Sequence, residues 1–183
     1  MKDLSTVKGY AYLSYVKPLR KECEDLWLRI RDRLPPDSKA FYDGEIFADQ
    51  WYPRTHLHAL MHAMELATNG DERAFRELGS RAARYQLNLI YRVFFSFMTP
   101  ALVFRRATSI WKRQSSAGIF TVVEEGDNYL VGKLVDPSLP KYMPLVIAGW
   151  SETIIAMLGR TPYPVVITTP SPGQYLFRVH WVG

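Results

Sequence analysis

GSRAARYQLNLIYRVFFSFMTPALVFRRATSIW, Gly79 to Trp111, reads as two consecutive helices broken at Thr99-Pro100. In the first half one stripe takes Leu78, Ala82, Tyr85, Leu89 and Val93, at steps of three or four. A second takes Ala83, Leu87, Ile90, Phe94 and Phe97. Two apolar stripes on one helix call for cover on more than one side, so this is a core helix. Arg92 interrupts the run, which is too short to cross a bilayer. Thr99 is a natural N-cap, and Pro100 suits the first helical position, where a missing N–H does no harm. The helix that follows turns Ala101, Phe104, Thr108 and Trp111 inward and Arg105, Arg106, Ser109, Lys112 and Arg113 to water. A guanidinium set between apolar stripes, as Arg92 is, must snorkel out, pair with a carboxylate or face a polar ligand. Tyr85 and Tyr91 divide between core residues with a satisfied hydroxyl and walls of a pocket.

A chain of 183 residues suits a single domain over 1–183 with a sizeable core. Its 48% hydrophobic and 14% aromatic content excludes a disordered chain. The one cysteine, Cys23, precludes an internal disulfide or a multi-cysteine metal site and suits a reducing compartment. The first residues lack the continuous apolar core of a signal peptide, so a cytoplasmic protein is expected. Net charge is +5, and Arg81, Arg84, Arg92, Arg105, Arg106, Lys112 and Arg113 accumulate along the central helices. Such a field attracts nucleic acid or anionic metabolites. These residues nevertheless sit at helical spacing opposite apolar stripes, as on any solvated face, and no binding motif accompanies them. Neither a nucleic-acid nor a membrane partner is expected.

Working outward, Lys8 to Val16 is aromatic-rich and compatible with strand or helix. Pro18 is expected to precede a helix over 19–34, with Cys23, Leu26, Trp27 and Ile30 inward, stopped by Pro35-Pro36. A short helix then runs through Tyr42, and Trp51-Tyr52-Pro53 introduces another that ends at Asn69-Gly70. Beyond Gly118 the apolar period becomes two. Ile119–Glu124 and Tyr129–Leu134 form one hairpin; Tyr163–Thr169 and Gln174–Val182 form a second. Between them Pro140 to Leu158 is a helix with little made for water, either sandwiched in the fold or part of a subunit interface. The order predicts an α+β protein: a helical lobe packed on an antiparallel sheet formed by two C-terminal hairpins with an intervening helix.

His58, His62 and Glu65 lie at i, i+4 and i+7 on one helical face, which could hold a divalent metal, or either histidine could ligate haem. The spacing lacks the glutamate of a zincin motif and also arises by chance. No GxSxG, glycine-rich phosphate loop or activated cysteine is present, so no enzyme is expected. The carboxylates fall at element ends, where capping explains them.

The run WYP at Trp51–Pro53, the block FRELGSRAARYQLNLIYRVFFSFMTPALVFRRATSIWKR from Phe75, the helix LVIAGWSETIIAMLG and the closing Phe177, Arg178, Val179, His180, Trp181 carry a resemblance. From about Val7 to Trp181 the chain resembles a large paralogous family of uncharacterised proteins from myxobacteria and their relatives. That family looks like a distant branch of the 4-vinyl-reductase-type and haem–NO-binding superfamily. The resemblance implies a helical lobe on an antiparallel sheet, often a homodimer, with a cavity for a small ligand between helices and sheet. Relatives bind aromatic effectors, tetrapyrroles or haem, or act as assembly subunits. The last hairpin lacks the cysteines that take zinc in the vinyl-reductase branch, and the proximal histidine of the haem-binding branch has no secure counterpart.

These readings converge on a small-molecule sensor or adaptor module of bacterial signalling, with Trp51, Tyr52, His62, Tyr85, Tyr91, Arg92 and Trp111 as candidate lining of a pocket for a small hydrophobic or aromatic ligand. The rivals are a structural protein that dimerises through helix 140–158 around a filled core, and a haem or metal sensor using His58 and His62.

Overall fold

The computed structural model describes residues 5–88 and 98–183. The α+β architecture is as the hydrophobic periods predict. The helical part comprises α1 (Gly9–Glu22), α2 (Glu24–Arg31), α3 (Pro36–Asp43), α4 (Thr55–Thr68), α5 (Glu72–Asn88) and α6 (Pro100–Gln114). Two short strands, β1 (Thr6–Lys8) and β2 (Trp51–Pro53), pair antiparallel beside it, with Val7 opposite Tyr52. The C-terminal part is β3 (Ile119–Gly126), β4 (Tyr129–Val135), α7 (Met143–Met157), β5 (Thr161–Pro162), β6 (Val166–Ser171) and β7 (Gln174–Val182). Strand β7 is the centre of this antiparallel sheet, with β4 on one side and β5 and β6 on the other, while β3 lies outside β4. The alternation along β7 puts Phe177, Val179 and Trp181 in the core and leaves Arg178 and Val182 exposed. No helix among the described residues is long and apolar enough to cross a membrane.

Three elements differ from the sequence expectation, one of them the strand expected over Tyr163–Thr169, since β5 ends at Pro162 and β6 begins at Val166. Pro18 lies inside α1, and the break comes at Cys23, whose φ of −142° is not helical. A proline costs a helix a hydrogen bond, but Tyr12, Val16 and Leu19 bury one face almost completely and hold the turn together. Trp51–Pro53 is a strand rather than a simple lead-in, because β1 supplies a partner from the other end of the sequence. At Thr99-Pro100 the expectation holds: Thr99 Oγ1 accepts from the Leu102 amide at 3.3 Å and Pro100 is buried. On α6, Val103 and Phe104 are buried, and Arg105, Arg106, Lys112 and Arg113 are exposed. The second apolar stripe beyond Ala83 falls largely outside the described residues.

Helix α7 is sandwiched between α5 and the sheet. Its crossing with α5 is glycine on glycine: a Cβ on Gly79 would lie 1.9 Å from the Val146 carbonyl oxygen, and one on Gly149 would lie 1.9 Å from that of Arg76. Only residues without a side chain permit this approach. Thr153 Oγ1 donates to Ser80 Oγ at 2.8 Å, and Arg76 pairs with Glu152 across the same seam. Glu152 also accepts from the Val165 amide at 2.8 Å, which ties the seam to the loop before β6.

Candidate functional site

Where α5, α6, α7 and β3 meet, their large side chains leave a cavity of about 100 Å³. Tyr15, Phe104, Trp111, Phe120 and Trp150 form most of its aromatic wall; Ala107, Val146 and Ile147 add aliphatic surface. Among the described residues none of the lining side chains is charged. The cavity is not sealed, since Ile110 in its lining is 41% exposed.

Its polar atoms are mostly committed elsewhere. Trp111 Nε1 donates to the Ala117 carbonyl at 3.1 Å, Ser151 Oγ to the Ile147 carbonyl at 2.9 Å, and Trp150 Nε1 to Gln86 Oε1 at 2.9 Å. The Tyr15 hydroxyl donates to Met143 Sδ at 3.8 Å, a weak acceptor. Burial pushes the Tyr15 phenol up to about 12, so it stays neutral at physiological pH.

A second polar cluster lies beside the junction of α6 and β3. Arg54, 2% exposed, donates from Nη1 to Asp136 Oδ2 at 2.7 Å and to Ser138 Oγ at 2.9 Å. Its Nη2 donates to Ser115 Oγ and, at 3.2 Å, to the Ala117 carbonyl. Asp136, fully buried, accepts at Oδ1 from the amide and hydroxyl of Ser138, each at 3.0 Å. Gly118, at φ +81°, allows the close approach, because a Cβ there would sit 2.6 Å from Asp136 Oδ2. The pair joins the start of α4 to the ends of α6 and β4. It reads as architecture rather than a reactive centre, since both charges are spent on one another. Sequence reasoning passed over it: Arg54 follows Pro53 without periodic context, and Asp136 looks like a cap, which through Ser138 it partly is.

The structure scatters the residues proposed from sequence. Trp111 borders the cavity. Trp51 is exposed on β2 with Lys8 Nζ 5.3 Å from its ring. Tyr52 packs edge-on against Phe41 at 5.0 Å and accepts from the Phe47 amide. Tyr85 is half-buried with Lys17 Nζ 6.0 Å from its ring. His62 is exposed on α4 and shares a hydrogen bond with Glu65 at 3.3 Å. None of these last four lines the cavity, and Tyr91 and Arg92 lie outside the described residues. Instead Tyr15, Gln86, Phe104, Phe120 and Trp150 do. Phe104 was legible as an inward stripe position; Tyr15 and Gln86 carry no periodic signal.

The metal reading of His58, His62 and Glu65 is corrected. Among the described residues no group of three histidine, cysteine or acidic side chains comes together. Side chains at i, i+4 and i+7 share a face but spread over two turns, and here Glu65 is drawn away toward Lys141 at 2.7 Å and the Tyr142 hydroxyl at 2.8 Å.

No family model matches the chain, and no curated protein matches it in sequence. Its fold, however, is that of H-NOX proteins. The chain is similar to an Fe(II) unliganded H-NOX protein from K. algicida, with a TM-score of 0.72 at 10% identity over 96% of this chain and 97% of that one. It is similar to an H-NOX protein from S. oneidensis in its Fe(II)NO ligation state, with a TM-score of 0.71, 10% identity and 96% and 99% coverage. An oxygen-binding H-NOX domain related to soluble guanylate cyclases gives a TM-score of 0.70 at 10% identity over 96% and 95%.

Haem iron in proteins is held by an axial His, Cys, Met or Tyr. All four histidines of this sequence are among the described residues, and none borders the cavity. His56 stacks on Phe41 at 4.1 Å with Nδ1 3.0 Å from Ser38 Oγ; His180 stacks on Tyr129 at 5.6 Å; His58 is half-buried and His62 exposed on α4. Cys23 is remote from the lining, and the Tyr15 phenol is neutral. A space of 100 Å³ also falls below the roughly 300–1,000 Å³ of ordinary cofactor sites. Among the described residues at this cavity, none offers a haem an axial ligand, and the space does not fit one.

Proposed function

We propose that this chain is a non-enzymatic sensor module of a bacterial signalling or regulatory system, which binds a small neutral molecule in the cavity between α6, α7 and β3. The observation that carries this reading is the cavity itself: aromatic, without a charged side chain among the described residues and reached from solvent, set in a fold whose solved examples include oxygen-bound and NO-ligated proteins. Apolar walls with few polar groups are what small-molecule sites offer. The resemblance to the myxobacterial paralogues and to the vinyl-reductase branch belongs to the same reading, as do a cytoplasmic location and a homodimeric state. The rival, dimerisation through helix 140–158, loses its surface, because α7 is covered by α5 and by the sheet. Among the described residues the lining carries no charged side chain, and its Ser151 hydroxyl donates to the Ile147 carbonyl with no base beside it, which suits a binding site better than a reactive one.

Xenon and benzene test the reading: a dry cavity of roughly 150 Å³ admits either, and the smaller space here opens to solvent beside Ile110. Benzene is expected to raise the melting temperature saturably, with perturbation of the Trp111 and Trp150 indole resonances. Ala107→Phe, which fills the space from α6, is expected to abolish both effects. No response to either probe in the parent protein would remove the sensor reading.

A further inference from the structure

The identity of the guest follows from which polar atoms of the cavity are left without work. An indole N–H is a donor and never an acceptor, so the Gln86 amide atom 2.9 Å from Trp150 Nε1 is its oxygen. The amide orientation is thereby fixed, and the other head of Gln86, Nε2, carries two N–H donors with no acceptor among the described residues. Tyr15 is in a similar position. Its hydroxyl has only the Met143 thioether at 3.8 Å, and burial keeps its proton in place. Gln114 adds a further amide to the lining. Trp111, Trp150 and Ser151 donate to protein acceptors, which leaves the Gln86 amide as the uncommitted group whose free atom can only donate, beside the Tyr15 hydroxyl, whose proton has only a thioether.

We infer that the cavity is selective for a neutral molecule about one ring in size that carries a hydrogen-bond acceptor, such as a cyclic or aromatic carbonyl compound, with Gln86 Nε2 and the Tyr15 hydroxyl as the specificity-determining donors. This rests on the reading of the cavity as a ligand site. Charge is disfavoured because no lining side chain among the described residues compensates it, and an uncompensated ion in apolar surroundings is far costlier than an unpaired dipole. Size is bounded by the 100 Å³ of space, about two-thirds of a void that takes benzene. An acceptor is favoured because a purely apolar occupant strips water from the donors without replacing it.

Cyclohexanone and methylenecyclohexane have the same shape and differ in one acceptor oxygen, and cyclohexanecarboxylate adds charge. Calorimetry and the indole Nε1 resonances of Trp111 and Trp150 report affinity and place. The expected result is cyclohexanone binding at least about fivefold more tightly than methylenecyclohexane, from the net worth of one neutral hydrogen bond, with cyclohexanecarboxylate not binding. Gln86→Glu keeps an oxygen for Trp150 and removes the amide donor; Tyr15→Phe keeps the ring and removes the hydroxyl. Each is expected to bring the ratio toward one while melting temperature reports the fold. Equal binding of the two neutral rings at the indoles would overturn the acceptor preference and leave the ligand site standing. Failure of both to move the indoles would overturn the ligand site, and the selectivity with it.

Discussion

Replacing Asp136 by asparagine isolates what the buried ion pair contributes. The two carboxylate oxygens face donors on both sides: Arg54 Nη1 at Oδ2, and the Ser138 amide and hydroxyl at Oδ1. An asparagine has one acceptor oxygen and one NH2 group, so either orientation sets N–H against N–H. Arg54, at 2% exposure, then keeps its charge with no counter-charge beside it. Breaking a buried pair from one side costs about 3–5 kcal/mol, a large part of the 5–15 kcal/mol that holds a typical domain together. Arg54→Met removes the other partner and is expected to cost a similar amount, because Asp136 stays buried. The double variant, with neither charge present, should cost less than the sum by about 1–3 kcal/mol. Urea unfolding at constant m measures all three. Arg105→Ala, which opens an exposed pair with Glu125, serves as the contrast and should cost less than about 1 kcal/mol. Single variants within 1 kcal/mol of the parent, or strictly additive losses, would refute the claim that this pair joins the two parts of the molecule.

Gly149→Ala sets a gain in helix propensity of about 1 kcal/mol against a clash with the Arg76 carbonyl, 1.9 Å away. Overpacking against rigid backbone costs about 1–3 kcal/mol or more, so the variant should unfold at lower urea, and a neutral or stabilised Gly149→Ala would show that the seam is loose. Tyrosinate absorbance should include a late step near pH 12 that Tyr15→Phe removes. Because the folded phenol lies above its unfolded value near 10, its contribution to stability is complete below about pH 10 and is lost as pH rises toward 12. Hydrogen bonds from Lys141 and Tyr142 hold the Glu65 carboxyl at about 2, below an unfolded value near 4.3. Its contribution is present above that unfolded value and disappears as pH falls to about 2; carboxyl carbon NMR should find it raised toward the ordinary range in Lys141→Met, with the Tyr142 and His62 hydrogen bonds still holding it below.

Much of the fold was legible in the sequence because burial leaves a period. The described start of the α5 stripes at Leu78, Ala82 and Ala83, the inward face of α6, the Thr99-Pro100 start, and the switch to alternation after Gly118 map onto observed elements. What escaped depends on distant parts of the sequence. The strand at Trp51–Pro53 exists because Thr6–Lys8 lies beside it, and Pro18 is tolerated because Tyr12, Val16 and Leu19 are covered. The site was less readable still. Trp51, Tyr52, His62 and Tyr85 are the residue types that line pockets, but type does not say where a side chain ends up, and all four lie elsewhere. Gln86 borders the cavity one position after Tyr85, and a rotation of 100° along a helix separates the two outcomes.

The Ala117 carbonyl accepts from Trp111 Nε1 at 3.1 Å and from Arg54 Nη2 at 3.2 Å, and it also takes the Ser115 hydroxyl at 2.8 Å. One oxygen therefore belongs at once to the wall of the cavity and to the clasp around Asp136. Any occupant that swings the Trp111 indole takes a donor from that oxygen and alters how strongly it holds the guanidinium. News of a bound guest has a route only a few bonds long to the place where α4 is anchored.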